Sequence, residues 1–459
     1  MIFSSIIFIY YFLPILLIFY FLIPSKYKNL ILLIFSLIFY FLGEPKYIII
    51  LLLSCIINYY LSKLIVSNKN SKLYLIIAII LNVSNLLIFK YTDFFISNVN
   101  NIFNIKILYL YLVMPIGISF YTFQTLGYII DVYNKKHKPA KKLTDFMTYV
   151  CLFPQLVAGP IVRYSDVEKE LTKRTHSYQK FSEGIKRFII GLSKKVLLAN
   201  VLGEFSKSLI TETVVSSWLK PIAYTLQIYF DFSGYSDMAI GLGLIFGFKF
   251  LENFNYPLIA SSITDFWRRW HISLSSWFKD YIYIPLGGNR VNKLKWIRNI
   301  FIVWFLTGFW HGASWNFIIW GLYFGIILVI EKLYLGKQLE KTKIIKYIYS
   351  ILIIIISFLI FNSNSANEIF TSLKNMFFIN NIEIINQETI YYLKSYLIIL
   401  IVSIISSTPL IKNIIQKLRT TKIKLIIDIL EPITYITLLI LTTAFLIDES
   451  FNPFLYFRF

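Results

Sequence analysis

The chain has 459 residues, of which 57% are hydrophobic and only 15% are charged. This composition excludes an ordinary soluble protein and predicts an integral membrane protein, so the net charge of +21 bears on membrane topology and does not indicate nucleic-acid binding. Two cysteines are too few for a disulfide framework or a cysteine metal cluster, and we expect no bound metal.

Apolar segments of membrane-spanning length follow one another along the chain. The first, residues 2–23, has neither the basic start nor the cleavage site of a signal peptide and is predicted to be retained. Most of the others reach the roughly 17 to 25 residues that a spanning helix needs. They lie near 29–42, 47–66, 73–90, 107–133, 185–210, 222–248, 300–330, 348–361, 390–410 and 426–446.

These segments predict an all-α protein with about ten to twelve transmembrane helices in a single polytopic membrane domain, 1–459. Within it we expect N-terminal helices, a core, and C-terminal helices in 1–135, 136–335 and 336–459.

Lysine and arginine collect in cytoplasmic loops. The loop at 91–106 carries little charge and is predicted outside, and the alternation of basic and uncharged loops places both termini outside. The basic loops at 135–142 and 163–195 would lie on the same side, so the broken apolar stretch 146–161 between them is predicted to be re-entrant.

The apolar block 300–330 has basic residues on both flanks and must enter and leave on one side of the membrane. It is predicted to form a hairpin with its turn at 310–314. The polar stretch 249–298 interleaves tryptophan and tyrosine with arginine and lysine, which is typical of a helix in the cytoplasmic interface.

His311 lies at the predicted hairpin turn. An ionisable side chain at membrane depth indicates a functional site, and an imidazole can serve as a general base near neutral pH. The alternative is a core histidine bonded to a backbone carbonyl.

His271 lies on the predicted interfacial helix. An ideal helix places it on one face with Arg268, where the pair could bind a phosphate or orient a second base, and places Trp267, Trp270 and Trp277 on a neighbouring stripe. A plain interfacial anchor explains the stripe equally well.

Asp231 and Asp237 lie inside an apolar segment. They could line a transport passage, hold Arg268 or Arg269, or bond helix ends around Gly234, and the structural roles are favoured. Gly243 and Gly247 have the wrong context for a dinucleotide loop and are predicted to form a small-residue helix contact.

The chain resembles the membrane-bound O-acyltransferase (MBOAT) family, and within it the branch of alginate O-acetylation proteins. The resemblance covers nearly the whole chain and is most specific at TDFWRRWHISLSSWFKDYIYIPLGGNR (264–290) and at 306–321. Other matching stretches are PIGISFYTFQ (115–124), FPQLVAGPI (153–161) and YFDFSGYSD (229–237).

The resemblance implies a helical bundle around a central tunnel, with His311 as the catalytic residue and His271 in a supporting role. Trp310 belongs to the same motif as His311. The residues expected to bind the donor or line the tunnel are Trp267, Arg268, Arg269, Trp310 and Asn316. Asp231 and Asp237 are expected to be structural or to face the acceptor.

The resemblance also implies acetyl transfer from a cytoplasmic thioester, acetyl-CoA or an acyl carrier, to an extracytoplasmic polysaccharide. The acyl group could reach the polymer directly or through a serine of an SGNH-hydrolase-like relay protein. We expect a multi-pass protein of the bacterial cytoplasmic membrane, in contact with membrane lipids. Alternatives are D-alanyl transfer to teichoic acid, a transporter or flippase with Asp231 and Asp237 as coupling carboxylates, and a structural scaffold.

Overall fold

The structure, a computed structural model, describes residues 1–448, and every regular element in that range is a helix. The prediction of an all-α membrane protein is confirmed. The chain forms two compact units: Met1–Phe188 together with Met238–Leu251, and Ile189–Asp237 together with the described residues from Glu252 onward.

The helices that begin in the first unit are α1 (Leu13–Leu22), α2 (Lys28–Gly43), α3 (Ile48–Ser67), α4 (Ser71–Phe103), α5 (Ile118–Tyr133), α6 (Leu143–Cys151), α7 (Phe153–Leu156), α8 (Tyr164–Thr172) and α9 (Tyr178–Ser193). A π-helical turn, Phe8–Phe12, precedes α1, and a 3-10 turn, Ser25–Tyr27, precedes α2.

The second unit continues with α10 (Val201–Ser208), α11 (Val214–Ile245), α12 (Ile263–Arg269), α13 (Ile272–Phe278), α14 (Lys293–His311), α15 (Trp315–Ile330), α16 (Gly336–Glu340), α17 (Ile345–Asn362), α18 (Ala366–Met376), α19 (Gln387–Ser406), α20 (Leu410–Leu418) and α21 (Lys424–Asp448). The last turns of α11 belong to the first unit. Shorter elements are the π-helical turns Lys194–Asn200, Lys279–Tyr283 and Glu331–Leu335 and the 3-10 turn Pro257–Ile259.

Within the described residues, seven helices are long and apolar enough to cross a membrane. The protein is therefore a multi-pass membrane protein, whereas the total of ten to twelve crossings and the orientation of the termini stay predictions. The seven candidates are Ser25–Gly43, Ile48–Ser67, Ser71–Phe103, Trp315–Glu340, Ile345–Asn362, Gln387–Ser406 and Lys424–Asp448.

The helix break predicted in the stretch 146–161 is confirmed. α6 ends at Cys151, and α7 covers only four residues. Phe153 is fully buried, and its backbone N–H donates to Ser36 Oγ at 3.1 Å. A side chain thus replaces the missing helical partner of this buried N–H group. The re-entrant path itself stays a prediction.

The predicted loop at 91–106 is wrong, and the segment predicted at 107–133 is helical only from Ile118. α4 instead continues to Phe103, and an irregular stretch follows it. The Asp93 carboxylate accepts two backbone N–H bonds from that stretch, at 2.8 and 2.9 Å. These bonds stabilise a non-helical path that hydropathy alone cannot reveal.

The predicted small-residue helix contact formed by Gly243 and Gly247 is also wrong. α11 ends at Ile245, and Gly247 lies beyond it with a φ of +82°. The close contact lies earlier in α11, since a Cβ on Gly241 would stand 2.6 Å from the carbonyl oxygen of Gly184.

α14 and α15 form the hairpin that the flanking charges predict. α14 ends at His311 and α15 begins at Trp315, so the turn lies within the predicted residues 310–314. Three residues suffice for the turn because the helices approach each other closely just before it.

Two glycines create this close approach. A Cβ on Gly308 would stand 2.2 Å from the carbonyl oxygen of Phe317, and a Cβ on Gly321 would stand 2.3 Å from that of Trp304. Only glycine fits at such distances, because the obstructing atoms are backbone. The backbones of α14 and α15 are therefore in direct contact at this crossing.

We expect Gly308→Ala to destabilise the protein by about 1–3 kcal/mol, because the new methyl group overpacks the crossing. The measurement is the Tm of the purified protein in detergent. Gly325→Ala is the matched control on α15, since its Cβ would come no closer than 3.4 Å to another residue, the ring of Phe301. Equal Tm values for Gly308→Ala and wild type would contradict the crossing.

Candidate active site

His311 is buried at the end of α14 and enclosed by aromatic rings. Its ring centroid lies 4.9 Å from those of Trp310 and Trp320 and 5.3 Å from that of Phe361. The three interplanar angles lie between 71° and 83°, so all three rings stand nearly perpendicular to the imidazole. This cage, defined by Trp310, Trp320 and Phe361, keeps most water from the imidazole. His311 as a whole is only 4% exposed.

Gly312 makes room for the cage. A Cβ at this position would stand 2.2 Å from the ring of Phe317. Phe317 in turn packs against Phe361, with 4.9 Å between ring centroids. A side chain at position 312 would therefore displace the rings behind His311.

Asn316 joins α15 to α17. Its buried side-chain Nδ2 donates to the carbonyl oxygen of Phe361 at 2.9 Å. The bond fixes the residue whose ring contacts His311, so the observed contact of Asn316 is a positioning one. Its role in donor binding stays a prediction.

Trp267 is separated from His311 by the indole ring of Trp320. Its ring packs against Trp304 at 4.6 Å, Phe324 at 5.0 Å and Trp320 at 5.8 Å. Since Trp320 contacts both Trp267 and His311, a continuous aromatic wall connects α12 with the hairpin turn.

The predicted single interfacial helix is wrong. α12 ends at Arg269, α13 begins at Ile272, and His271 between them has a left-handed backbone with a φ of +43°. Arg268 and His271 therefore do not share a helix face, and the tryptophan stripe is interrupted at the same point.

The three tryptophans of the predicted stripe are not surface anchors. Trp267, Trp270 and Trp277 are all at least nine-tenths buried within the protein. Their neighbours are other aromatic side chains, such as Phe254, which lies 5.1 Å from Trp270. The interpretation of the stripe as a membrane anchor is thus wrong.

Asn253 causes the break and orients His271. Its carbonyl oxygen accepts the backbone N–H of Ile272 at 3.0 Å, and its Oδ1 accepts the backbone N–H and the hydroxyl of Ser273 at 3.1 and 2.9 Å. The same Oδ1 lies 3.2 Å from His271 Nδ1. Asn253 is not recognisable from the sequence alone, where the only signal is a polar side chain within an aromatic run.

These contacts determine the tautomer of His271. The backbone N–H of Ser273 can only donate a hydrogen bond, so the Asn253 atom that faces it is the acceptor oxygen Oδ1. Asn253 Nδ2 donates to Ser236 Oγ at 3.1 Å. His271 Nδ1 therefore carries the proton and Nε2 has the lone pair. Burial lowers the pKa of His271 to about 3, so the ring is neutral at physiological pH.

Trp310 connects the two histidines. Its ring centroid lies 6.2 Å from that of His271 and 4.9 Å from that of His311. The structure thus brings both predicted histidines to the same indole, and it separates them by that indole.

The two predicted donor-binding arginines differ in their surroundings. Arg268 is exposed, whereas Arg269 is half-buried and its Nε donates to Asp265 Oδ1 at 3.0 Å. Arg268 is therefore the better placed of the two to meet a phosphate from solution. Their role in donor binding stays a prediction.

Glu331 fixes the start of α12. Its buried carboxylate accepts the backbone N–H groups of Ile263 and Thr264 at 2.5 and 2.9 Å, and the hydroxyl of Thr264 at 2.8 Å. A carboxylate at a helix N-terminus satisfies donors that lack intrahelical partners. The end of α15 thereby holds the helix that carries Trp267.

Asp231 and Asp237 pair with lysines and not with the arginines of α12. Lys195 Nζ lies 2.6 Å from Asp231 in a fully buried pair, and Lys194 Nζ lies 2.7 Å from Asp237. The hypothesis that they hold Arg268 or Arg269 is wrong. The available sequence signal is the pair of lysines inside the apolar segment 185–210.

Gly234 brings these partners together. A Cβ there would stand 2.7 Å from the carbonyl oxygen of Gly191 and 3.2 Å from Lys194 Cβ. The lysine segment can therefore lie directly against α11, as a structural role around Gly234 requires. No group of three or more His, Cys, Asp or Glu in residues 1–448 is arranged to hold a metal ion.

The chain belongs to the membrane-bound O-acyltransferase family, whose model matches residues 140–364, and it is an O-acyltransferase. The matched region contains both histidines and the cage around His311. The family resemblance seen in the sequence is confirmed, and membership decides against a transporter or a structural scaffold.

Several relatives are named for transfer to alginate, peptidoglycan or teichoic acid. The chain is 36% identical to the probable alginate O-acetylase AlgI of Azotobacter vinelandii, over all of both chains. It is 34% identical to the peptidoglycan O-acetyltransferase of Helicobacter pylori, over 84% of this chain and 81% of that one. The teichoic acid D-alanyltransferase of Bacillus subtilis is 31% identical over 47% of this chain and 58% of its own length.

We expect Lys195→Met to destabilise the protein by about 3–5 kcal/mol, because it leaves the Asp231 carboxylate buried without its cation. The loss should appear as a lower Tm in detergent. Lys194→Met is the matched control and should cost less, since Lys194 and Asp237 are partly exposed. A Lys195→Met Asp231→Leu double variant should recover much of the loss; no recovery would contradict the assignment of the effect to this pair.

The buried neutral His271 predicts acid sensitivity. Below pH 6.5 the unfolded chain binds a proton at this histidine, whereas the folded chain does so only near pH 3, so stability falls as the pH decreases across that range. The contribution approaches about 1.4 kcal/mol per pH unit. His271→Gln keeps an N–H donor without titrating and should show a shallower fall of Tm between pH 6 and pH 4. Parallel curves for the two proteins would refute a buried neutral imidazole.

Proposed function

We propose that the protein transfers an acetyl group from a cytoplasmic thioester to a hydroxyl of an extracytoplasmic polysaccharide, with His311 as the general base. The observation that carries this proposal is the aromatic cage around the buried His311 at the turn between α14 and α15. The named relatives that acetylate alginate and peptidoglycan support the acetyl group and the class of acceptor.

In the proposed step, neutral His311 removes the proton from the acceptor hydroxyl while the oxygen attacks the thioester carbonyl. The tetrahedral intermediate collapses with cleavage of the carbon–sulfur bond, and the thiolate leaves and takes the proton from the imidazolium. The cage contributes by excluding water, which would hydrolyse the thioester and favour the charged imidazolium before the acceptor arrives. An acyl-imidazole formed on His311 is the alternative covalent route.

His271 has a supporting role in this proposal. The hydrogen bond to Asn253 determines its tautomer, and its ring contacts the ring of Trp310. A rigid, neutral imidazole behind Trp310 would position that indole against His311. Asn253 and His271 are thus positioning residues, whereas His311 is the catalytic residue.

On the donor side, Arg268 would meet the phosphates of acetyl-CoA or of an acyl-carrier prosthetic group, and Arg269 would assist. The aromatic wall from Trp267 to Trp320 would hold the acyl end of the donor. No cofactor bound permanently to the protein is part of this mechanism.

On the acceptor side, we propose a surface polysaccharide, reached directly or through the serine of an SGNH-hydrolase-like relay protein. The proposal includes a location in the bacterial cytoplasmic membrane with both termini outside. The polar and charged sequence of the described residues 363–388 would face that side.

The test is incubation of membranes with acetyl-CoA labelled in the acetyl group, followed by measurement of ester-linked label in the envelope polymer. We expect His311→Ala to lower the transfer rate by roughly 100-fold or more, the usual contribution of a general base. His137→Ala is the matched control, because His137 lies in a basic loop of the first unit outside the cage.

Wild-type transfer by a well-expressed His311→Ala protein would refute the catalytic assignment. Labelled D-alanine on a carrier protein serves as a second donor in the same assay. Transfer of D-alanine with no transfer of acetyl would contradict the acetyl proposal while leaving His311 as the base.

A further inference from the structure

The first unit contains a large cavity that is lined mostly by basic side chains. It has a volume of about 1120 Å³ and is called the basic cleft here. Eight lysine or arginine side chains line it, whereas only two carboxylates do. The basic side chains include Lys28, Lys63, Lys141, Lys142 and Arg174.

Carboxylates neutralise only part of the positive charge of the cleft. Within residues 1–448, Lys63, Lys141 and Lys142 form no ion pair. Lys28 Nζ lies 4.7 Å from the centroid of the Tyr20 ring, and the Arg174 guanidinium donates to Asn29 Oδ1. Neutral groups thus hold Lys28 and Arg174 in place without neutralising their charge, so the charge is available to bind an anionic ligand.

His176 lies beside this concentrated charge. It lines the cleft, and its pKa is lowered to about 4, first by burial and then by the positive charges of Lys28, Arg174 and Lys180. Mutual repulsion of cations in a confined space is relieved by a bound anion. The cleft therefore has the electrostatics of an anion site.

An apolar pocket adjoins the basic cleft at His176, which lines both. This pocket has a volume of about 380 Å³, and its lining includes Phe21, Phe181, Leu244 and Ile245. A free phosphate or a nucleotide has no hydrocarbon chain that could occupy this apolar pocket. An amphiphile with a phosphate at one end and a hydrocarbon chain at the other would fill both cavities.

The position of the cleft, at the ends of membrane-spanning segments, is consistent with lipid binding. Lys26 and Lys28 lie at the start of the membrane-spanning segment Ser25–Gly43, and Lys63 lies in the last turns of Ile48–Ser67. These helix ends meet the headgroup layer of a bilayer. Basic pockets at that level bind acidic lipid headgroups.

We propose that the basic cleft binds the phosphate headgroup of an anionic phospholipid, whose upper acyl chain lies in the apolar pocket beside Phe21 and Leu244. The site is independent of the proposed acyl transfer. The lipid would anchor α2 and α3 to the loop 135–142 and to the segment between α8 and α9.

The test measures the Tm of delipidated protein in detergent during titration with short-chain phosphatidylglycerol. We expect a rise on the order of 2 °C or more at saturation, because a ligand of the folded state alone stabilises it. The Lys63→Gln Lys141→Gln Lys142→Gln variant should need roughly 100-fold more lipid, at about fivefold per lysine. Each single variant should show its fivefold weakening, which keeps the test valid if the triple variant is poorly folded.

The matched control is Lys69→Gln Lys72→Gln Lys135→Gln, which removes three exposed lysines of the same unit that do not line the cleft. It should bind phosphatidylglycerol like wild type. Leu244→Gln should weaken binding through the apolar pocket, and His311→Ala should not change it, so this proposal and the proposed chemistry can fail separately.

Three results would overturn the proposal. The first is an equal rise of Tm with short-chain phosphatidylcholine, which would show that the net negative charge is irrelevant. The second is an equal rise with glycerol 3-phosphate or coenzyme A, which would show that the site takes a free phosphate and not a lipid. The third is wild-type affinity in the folded cleft variant.

Discussion

The contact between the backbones of α14 and α15 is the constraint on which the candidate active site depends. Because Gly308 and Gly321 have no side chains, the helices converge before they turn, and three residues can connect them. His311 therefore ends α14 inside the protein, within reach of rings from α15 and α17. A wider crossing would move Trp320 away from His311 and open the imidazole to water or lipid.

Polar bonds then fix how the surrounding elements are placed. Lipid tails are as apolar as a leucine side chain, so apolar packing alone specifies position weakly inside a membrane protein. In the second unit, Glu331 holds the start of α12, Asn316 holds the end of α17, and Lys195 holds α11 through Asp231. Each of these groups is buried, so a misplaced helix would leave a desolvated polar atom without its partner.

The sequence predicts those features that depend on local composition or on charge summed over a loop. The hairpin around His311 follows from basic residues on both flanks of one apolar block, and the break near Phe153 follows from Pro154, Gly159 and Pro160. The break at His271 cannot be predicted in this way, because it is imposed by Asn253, 18 residues earlier. The lysine partners of Asp231 and Asp237 are equally hidden, since they depend on which distant segment Gly234 admits.

The left-handed backbone at His271 has a thermodynamic consequence. A φ of +43° costs an L-residue roughly 1–2 kcal/mol, whereas glycine would adopt it without strain. The fold by itself would thus be more relaxed with no side chain at this position. The bond of the imidazole to Asn253 and its contact with Trp310 oppose that preference, so the interactions of the side chain offset part of the backbone strain at His271.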